Sequence, residues 1–190
     1  RYDNSYMIDA AKKYLGKFRI VGMVDESLPG VEKQMKDLLK QGVIGQVNMI
    51  EAWWDRNSAI GAWQYSIPPD ASAETIDWDR FLGHAPKRPF EPIRLFRWRN
   101  YRDYGTGLAG DLYVHLLTGL HVVTDSMGPI RIFAQGGTRF WNDGRDVPDV
   151  MLATMDYPKT ATHPEFTFAL RVNFASGGER ESFGVKFVGC

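Results

Sequence analysis

The stretch LAGDLYVHLLTGLHVVTDS, residues 108–126, decides the reading of the fold. Flexible Gly105-Thr106-Gly107 precedes it and Gly128-Pro129 stops it, the start and stop signals of a helix. Strand candidates follow at Ile130–Trp141, Val150–Tyr157, Phe166–Ala175 and Ser182–Val188. The turn signals between them, Asn142-Asp143-Gly144, Pro158 and Ser176-Gly177-Gly178, are short enough for hairpins. A helix followed by a run of strands predicts an α+β fold, a predominantly antiparallel open β-sheet with helices packed on one face.

Upstream, Gln46–Trp54 (QVNMIEAWW) alternates polar and apolar as a half-buried strand does. Between Asp55 and Arg94 the chain makes a long excursion rich in proline (Pro68, Pro69, Pro86, Pro89, Pro92), with a short helical piece expected over Ala73–Leu82. Trp53, Trp54 and Trp63 argue against disorder there. Further back, Gly30 opens a helical stretch whose Val31, Met35, Leu38 and Leu39 share one face and which Gly42 ends. Phe18–Val24 (FRIVGMV) reads as a short buried strand, and Asn4 or Ser5 caps a helix to about Leu15. This order of helix, strand and helix belongs to a layered α/β unit.

With 190 residues, 44% of them hydrophobic and 13% aromatic, the chain can bury one substantial core. Lys plus Arg equal Asp plus Glu at 23 each, so charge indicates neither nucleic acid nor an anionic membrane as partner. No apolar run approaches the ~20 residues that span a bilayer, and the first residues lack the pattern of a secretion signal. The single cysteine, Cys190, excludes an intrachain disulfide. Because Arg1 is not an initiator Met and the chain stops just past an apolar run, we expect a piece of a longer protein.

Asp111 and His115 are four residues apart on the predicted helix, one turn above the other, so their side chains can meet. A carboxylate beside an imidazole orients the ring and raises its proton affinity, which suits it to take a proton from a hydroxyl. Taken by itself, such a pair is also a common structural arrangement. The neighbouring run Phe96-Arg97-Trp98-Arg99-Asn100-Tyr101 can set a guanidinium and flat apolar faces near a sugar, or can equally supply core aromatics and a solvated arginine face. His121 and Asp125 repeat the spacing. Asp111 and Asp125 lie about 21 Å apart at ~1.5 Å per residue, so the four residues cannot ligate one ion, and no metal is expected. His84 and His163 read as exposed loop residues. Gly105-Thr106-Gly107-Leu108-Ala109-Gly110 fits the glycine spacing of a dinucleotide turn but follows no buried strand, so the match reads as accidental.

Several of these segments, in this order, resemble the Gfo/Idh/MocA family of nicotinamide-dependent oxidoreductases, named for glucose-fructose oxidoreductase and inositol dehydrogenase. Ala10-Ala11-Lys12-Lys13 with Phe18-Arg19-Ile20-Val21-Gly22-Met23 is similar to the last helix and strand of that family's Rossmann domain. Leu38–Gly45 is similar to the helix and G-x-I-G turn leading into its substrate domain. Glu51–Asn57, Trp98-Arg99, Gly107, Tyr157-Pro158 and the D-x-x-x-H motif of Asp111–His115 continue the series. The resemblance implies a remnant of the cofactor-binding domain over residues 1–24 and a substrate-binding and oligomerisation domain over 25–190.

It further implies that His115 accepts a proton from the hydroxyl being oxidised, that Asp111 orients it, and that Arg99, Trp98, Tyr101 and Arg56 line the substrate site. The implied substrate is a sugar, glycoside or polyol, with NAD or NADP as cofactor of the full-length parent. The implied partner is a second copy of the chain, through the sheet face. In departure from the family, the glycine-rich first turn and the E-K-P segment are absent, and Val24-Asp25-Glu26-Ser27 stands where an arginine-bearing segment often follows. No cofactor is therefore expected for this chain alone, which should be inactive. A bacterial cytoplasmic or periplasmic setting is implied without a choice between them. The alternative is a non-catalytic carbohydrate-binding or assembly module of the same fold.

Overall fold

The computed structural model describes residues 9, 13, 29–56, 58–176 and 183–189. The helix expected from Asn4 or Ser5 and the strand expected over Phe18–Val24 lie outside them, apart from Asp9 and Lys13, which are helical and exposed. Helix α1, Val31–Lys40, is entered through Gly30 in the left-handed region at φ 82°. Its ion pairs Lys33–Asp37 and Lys36–Glu32, at 2.6 and 3.0 Å, bridge successive turns on its outer side.

Strand β1, Val47–Asp55, follows as predicted. The excursion after it holds two short helices, α2 (Trp78–Leu82) and α3 (Pro92–Phe96), and a tight 3-10 turn at Trp98–Asn100. Helix α2 begins later than expected because Asp77 caps it, its carboxylate accepting the Arg80 amide at 3.0 Å. Trp78 stacks on Phe81 at 5.2 Å and meets Phe90 edge-on, and Phe81 meets Tyr104. These aromatics form a small satellite core of the excursion's own, pinned by Arg88 and Arg94, which reach Asp103 at 2.7 and 3.3 Å.

The predicted long helix forms in two geometries. One wide π turn, Ala109–Tyr113, runs directly into helix α4, Val114–Thr124, which Asp125 closes in the left-handed region at φ 59°. Strands β2 (Arg131–Gly137), β3 (Val150–Tyr157), β4 (Phe166–Asn173) and β5 (Phe183–Gly189) complete the fold. The sheet order is β2-β3-β4-β1-β5, parallel between β1 and β4 and antiparallel at the other pairings. The architecture is α+β with a mixed sheet.

Of the expected hairpins, β2–β3 forms with a longer connection than its turn signal suggests, and β4–β5 does not form. β2 stops at Gly137 because the fully buried carboxylate of Asp149 gathers the amides of Arg139, Phe140 and Trp141 at 2.7 to 2.9 Å, drawing the chain off into a long connection. β5 does not return beside β4. β1 occupies that edge, with its Ile50 and Ala52 buried, so β5 pairs with the far side of β1.

Alternation then separates two faces. Ile50, Ala52, Ala153, Met155, Phe168, Leu170 and Val172 lie buried under Leu112, Leu116 and Leu120 of the helix. The other face is open, with Phe133 64% and Leu152 45% exposed, and carries the ion pairs Asp55–Arg171 (2.6 Å) and Glu51–Lys186 (3.1 Å). Among the described residues no helix is long and apolar enough to cross a membrane.

One histidine differs from the sequence reading. His163 is half-buried: its Nε2 lies 2.9 Å from Ser126 Oγ and its Nδ1 2.7 Å from the Pro164 carbonyl, which ties the β3–β4 connection to the end of α4. His121, which repeats the four-residue spacing with Asp125, meets the Tyr157 hydroxyl at 2.8 Å. Burial lowers its proton affinity below the ordinary imidazole value, and burial pushes the Tyr157 hydroxyl up to about 12. Both shifts favour a neutral pair in which the hydroxyl donates to the imidazole.

Since folding lowers the His121 pKa, the unfolded chain binds more protons between that lowered value and the ordinary 6.5. This contribution to stability is whole above 6.5 and is lost as pH falls from there through the folded value. Urea midpoints should therefore decline between pH 7 and pH 5 (about the range in which imidazoles titrate), and less steeply in His121→Gln. An identical slope in the two proteins would refute the assignment.

Candidate active site

The candidate residues other than Tyr101 lie about the end of β1 and the start of the helix. A rigid frame brings them there. Gly105 lies against the Trp98 ring, where a Cβ would come within 3.2 Å. Gly107 has φ 59°, and a Cβ on it would meet the buried Val147 side chain at 2.9 Å, so only glycine fits. The turn is braced from the β2–β3 connection. Asp146 accepts the Arg102 amide at 2.7 Å, and its own amide donates to the Asn100 carbonyl at 3.1 Å. Arg145, its side chain fully buried, donates to the Ala62 carbonyl and to Asp143 at 2.8 and 2.7 Å. Burial raises the Asp143 proton affinity, but the Arg145 hydrogen bond and charge outweigh it, and the net shift is downward.

Within this frame the Arg99 guanidinium lies 4.3 Å over the Trp98 ring, and its Nε is 3.2 Å from Asp111 Oδ2. Asp111 thus pairs with Arg99, and no hydrogen bond joins it to His115. Helical spacing offered only His115 as its partner, and the preceding loop brings in the planar guanidinium of Arg99 instead. His115 is exposed on the next turn, its ring 5.6 Å from that of Trp54 and tilted by 53°. Trp54 in turn lies 5.7 Å from Phe183, its cross-strand partner on β5. Arg56 is half-buried at the end of β1, with its amide on the Asn173 carbonyl at 2.9 Å. Tyr101 goes elsewhere, buried in the satellite core beneath Arg94, whose guanidinium is 4.3 Å from its ring.

The structure therefore joins Trp98, Arg99 and Asp111 directly and sets His115 beside Trp54, while Tyr101 packs apart. Phe183 was missed by the sequence reading. Its alternation placed it on one face of a strand, but only the β5–β1 register brings it opposite Trp54. An exposed imidazole beside Trp54, itself paired with Phe183, with an arginine–carboxylate pair four residues earlier, can accept a proton from a hydroxyl and hold a small polar compound against apolar surface.

The glycine run before the helix offers no dinucleotide cradle. Gly107 is filled against Val147, and a Cβ on Gly110 would fall on Thr106, so these glycines serve packing and present no open amides to a pyrophosphate. Among the described residues no group of three or more His, Cys, Asp or Glu side chains could hold a metal ion.

No family model matches the chain, and no curated protein matches it. Solved structures share its fold. An inositol dehydrogenase homolog from Azotobacter vinelandii, complexed with NADH and myo-inositol, superposes with a TM-score of 0.52 at 12% identity, over 84% of this chain and 32% of that one. A Desulfitobacterium hafniense DCB-2 protein assigned as an NADPH-dependent oxidoreductase gives 0.50 at 17% identity, over 83% and 33%. A levoglucosan dehydrogenase in complex with NADH gives 0.49 at 14%, over 82% and 34%. The chain spans about a third of the length of these structures. The class that the likeness defines is a fold, the α+β arrangement within part of oxidoreductases of this kind. That is the fold implied by the resemblance to the Gfo/Idh/MocA family.

Gly107→Ala tests the frame. Left-handed strain together with overpacking against Val147 should cost on the order of 2–4 kcal/mol, read as a lower urea midpoint. A loss below about 0.5 kcal/mol, the usual effect of a surface change, would show that the turn relaxes freely.

Proposed function

We propose that residues 25–190 are the substrate-binding and oligomerisation domain of a nicotinamide-dependent oxidoreductase acting on a hydroxyl of a sugar, glycoside or polyol, and that residues 1–24 are the tail of its cofactor-binding domain. The observation that carries this reading is the placement of His115: exposed, against Trp54, one turn beyond an Asp111 fixed by Arg99. The shared fold supports it, since the neighbours bear dehydrogenase and oxidoreductase names.

In this reading the imidazole takes the hydroxyl proton as the carbon is oxidised. The Asp111 carboxylate, four residues before His115, is held by Arg99. Trp98 and Arg56 flank the substrate. A bound nicotinamide supplies hydride acceptance. The glycine run at 105–110 does not fit a pyrophosphate, and no described residue is assigned to that step.

Fluorescence titration of the 190-residue chain with NADH should accordingly show no saturable binding, and tight stoichiometric binding would sink the proposed division of labour. A longer chain carrying these residues should oxidise members of a polyol panel with NAD or NADP, and His115→Ala should lower kcat by about 100-fold or more. Full turnover by that variant would remove His115 from the chemistry.

One observation favours a second reading, a non-catalytic carbohydrate-binding or assembly module. Asp111 is engaged by Arg99, which leaves the imidazole without a hydrogen-bonded carboxylate. Such a module would show no hydride transfer with or without His115. Under either reading the open sheet face, with Phe133 and Leu152 exposed, forms the contact with a second copy. Leu152→Glu should shift the chain towards monomer in sedimentation velocity, and an unchanged distribution would place the contact elsewhere.

A further inference from the structure

We infer that Trp54 and Phe183 are specificity-determining residues, a platform that selects substrate rings presenting axial hydrogens, and no axial hydroxyl, on one face. The inference rests on the proposal that His115 receives a sugar or polyol hydroxyl.

The platform arises from register. Trp54 and Phe183 are directly opposed on β1 and β5, and both point to the helix side of the sheet, as do Ala52 and Val185. The helix covers the middle of that face and leaves its β5 margin bare, with Phe183 44% and Val185 40% exposed. The two rings lie 5.7 Å apart with their planes inclined by 33°, a stepped, partly overlapping pair with the Phe183 ring exposed, while the His115 ring lies 5.6 Å from that of Trp54 at 53°. A floor of aromatic carbon therefore meets a wall that carries a proton acceptor.

A flat ring resting on the floor brings its carbon-bound hydrogens to van der Waals contact, about 4 Å between heavy atoms, and turns its rim of equatorial hydroxyls towards the wall. Hydroxyls directed at the floor would be stripped of water without a partner, which costs free energy. An axial hydroxyl on each face thus works against binding. An open-chain polyol must also lose rotational freedom to lie flat.

Saturation-transfer NMR and competition titration of the chain with methyl β-D-glucopyranoside, methyl α-D-mannopyranoside and sorbitol test this. The glucoside, with all ring substituents equatorial, should bind most tightly, with its axial ring hydrogens receiving the strongest saturation. The mannoside, with an axial oxygen on each face, and sorbitol should bind at least about five-fold more weakly. Phe183→Ala, which removes an exposed ring at little cost to folding, should weaken the glucoside about five-fold, the effect of ~1 kcal/mol of lost aromatic contact. Met127→Ala, 98% exposed just past the far end of α4 from His115, should change nothing. Equal binding of the three compounds, or a glucoside affinity untouched by Phe183→Ala, overturns the platform. If none of the three binds, the sugar-site reading fails and the platform with it.

Discussion

The parallel pairing of β1 with β4 is the constraint on which the rest depends. It runs from Met49–Thr167 to Asp55–Asn173 and makes β1 an interior strand. With β4 on one side and β5 on the other, Ile50 and Phe168 can both be fully buried under the helix. The same register sets Trp54 opposite Phe183 and puts Asp55 beside Arg171 on the open face. Were β4 and β5 a hairpin, β1 would have a free edge and the aromatic pair beside His115 would not exist.

Much of this was legible in the sequence, and the part that was not has a common cause. Alternation and turn chemistry located the strands, β3 to the same residues, Val150–Tyr157. They could not order them, because a period of two states which face a side chain takes and says nothing of which strand lies alongside. Ser176-Gly177-Gly178 carried the chemistry of a tight turn, yet the neighbouring place was filled by a strand from far upstream. Local signals lose where a distant segment competes for the same edge.

The site shows the same limit on a smaller scale. Helical spacing identified Asp111 and His115 as residues that can meet, and the structure gives Asp111 to Arg99 instead. A spacing rule names the partners a helix permits, and the loop before the helix can deliver another. Here the loop is held locally by Gly105 under Trp98, and by Gly107 under Val147 and Asp146 on Arg102, two contacts between segments some forty residues apart. Tyr101, one residue past the turn that presents Trp98 and Arg99, rotates into the satellite core, where Arg94 covers it. The membership of the Phe96–Tyr101 run was readable, whereas its division between ligand side and packing side was not.

The interior position of β1 also bears on how the chain is made. Both of its neighbours are synthesised more than a hundred residues after it, so β1 leaves the ribosome with neither edge paired. Its segment is apolar, rich in tryptophan and of strong β propensity, and a strand of that kind with free edges is a template for association with other chains. The sheet cannot close until the last strand has emerged. Until β5 emerges, β1 therefore offers at least one unpaired edge to other chains, and β5 is the strand that closes it.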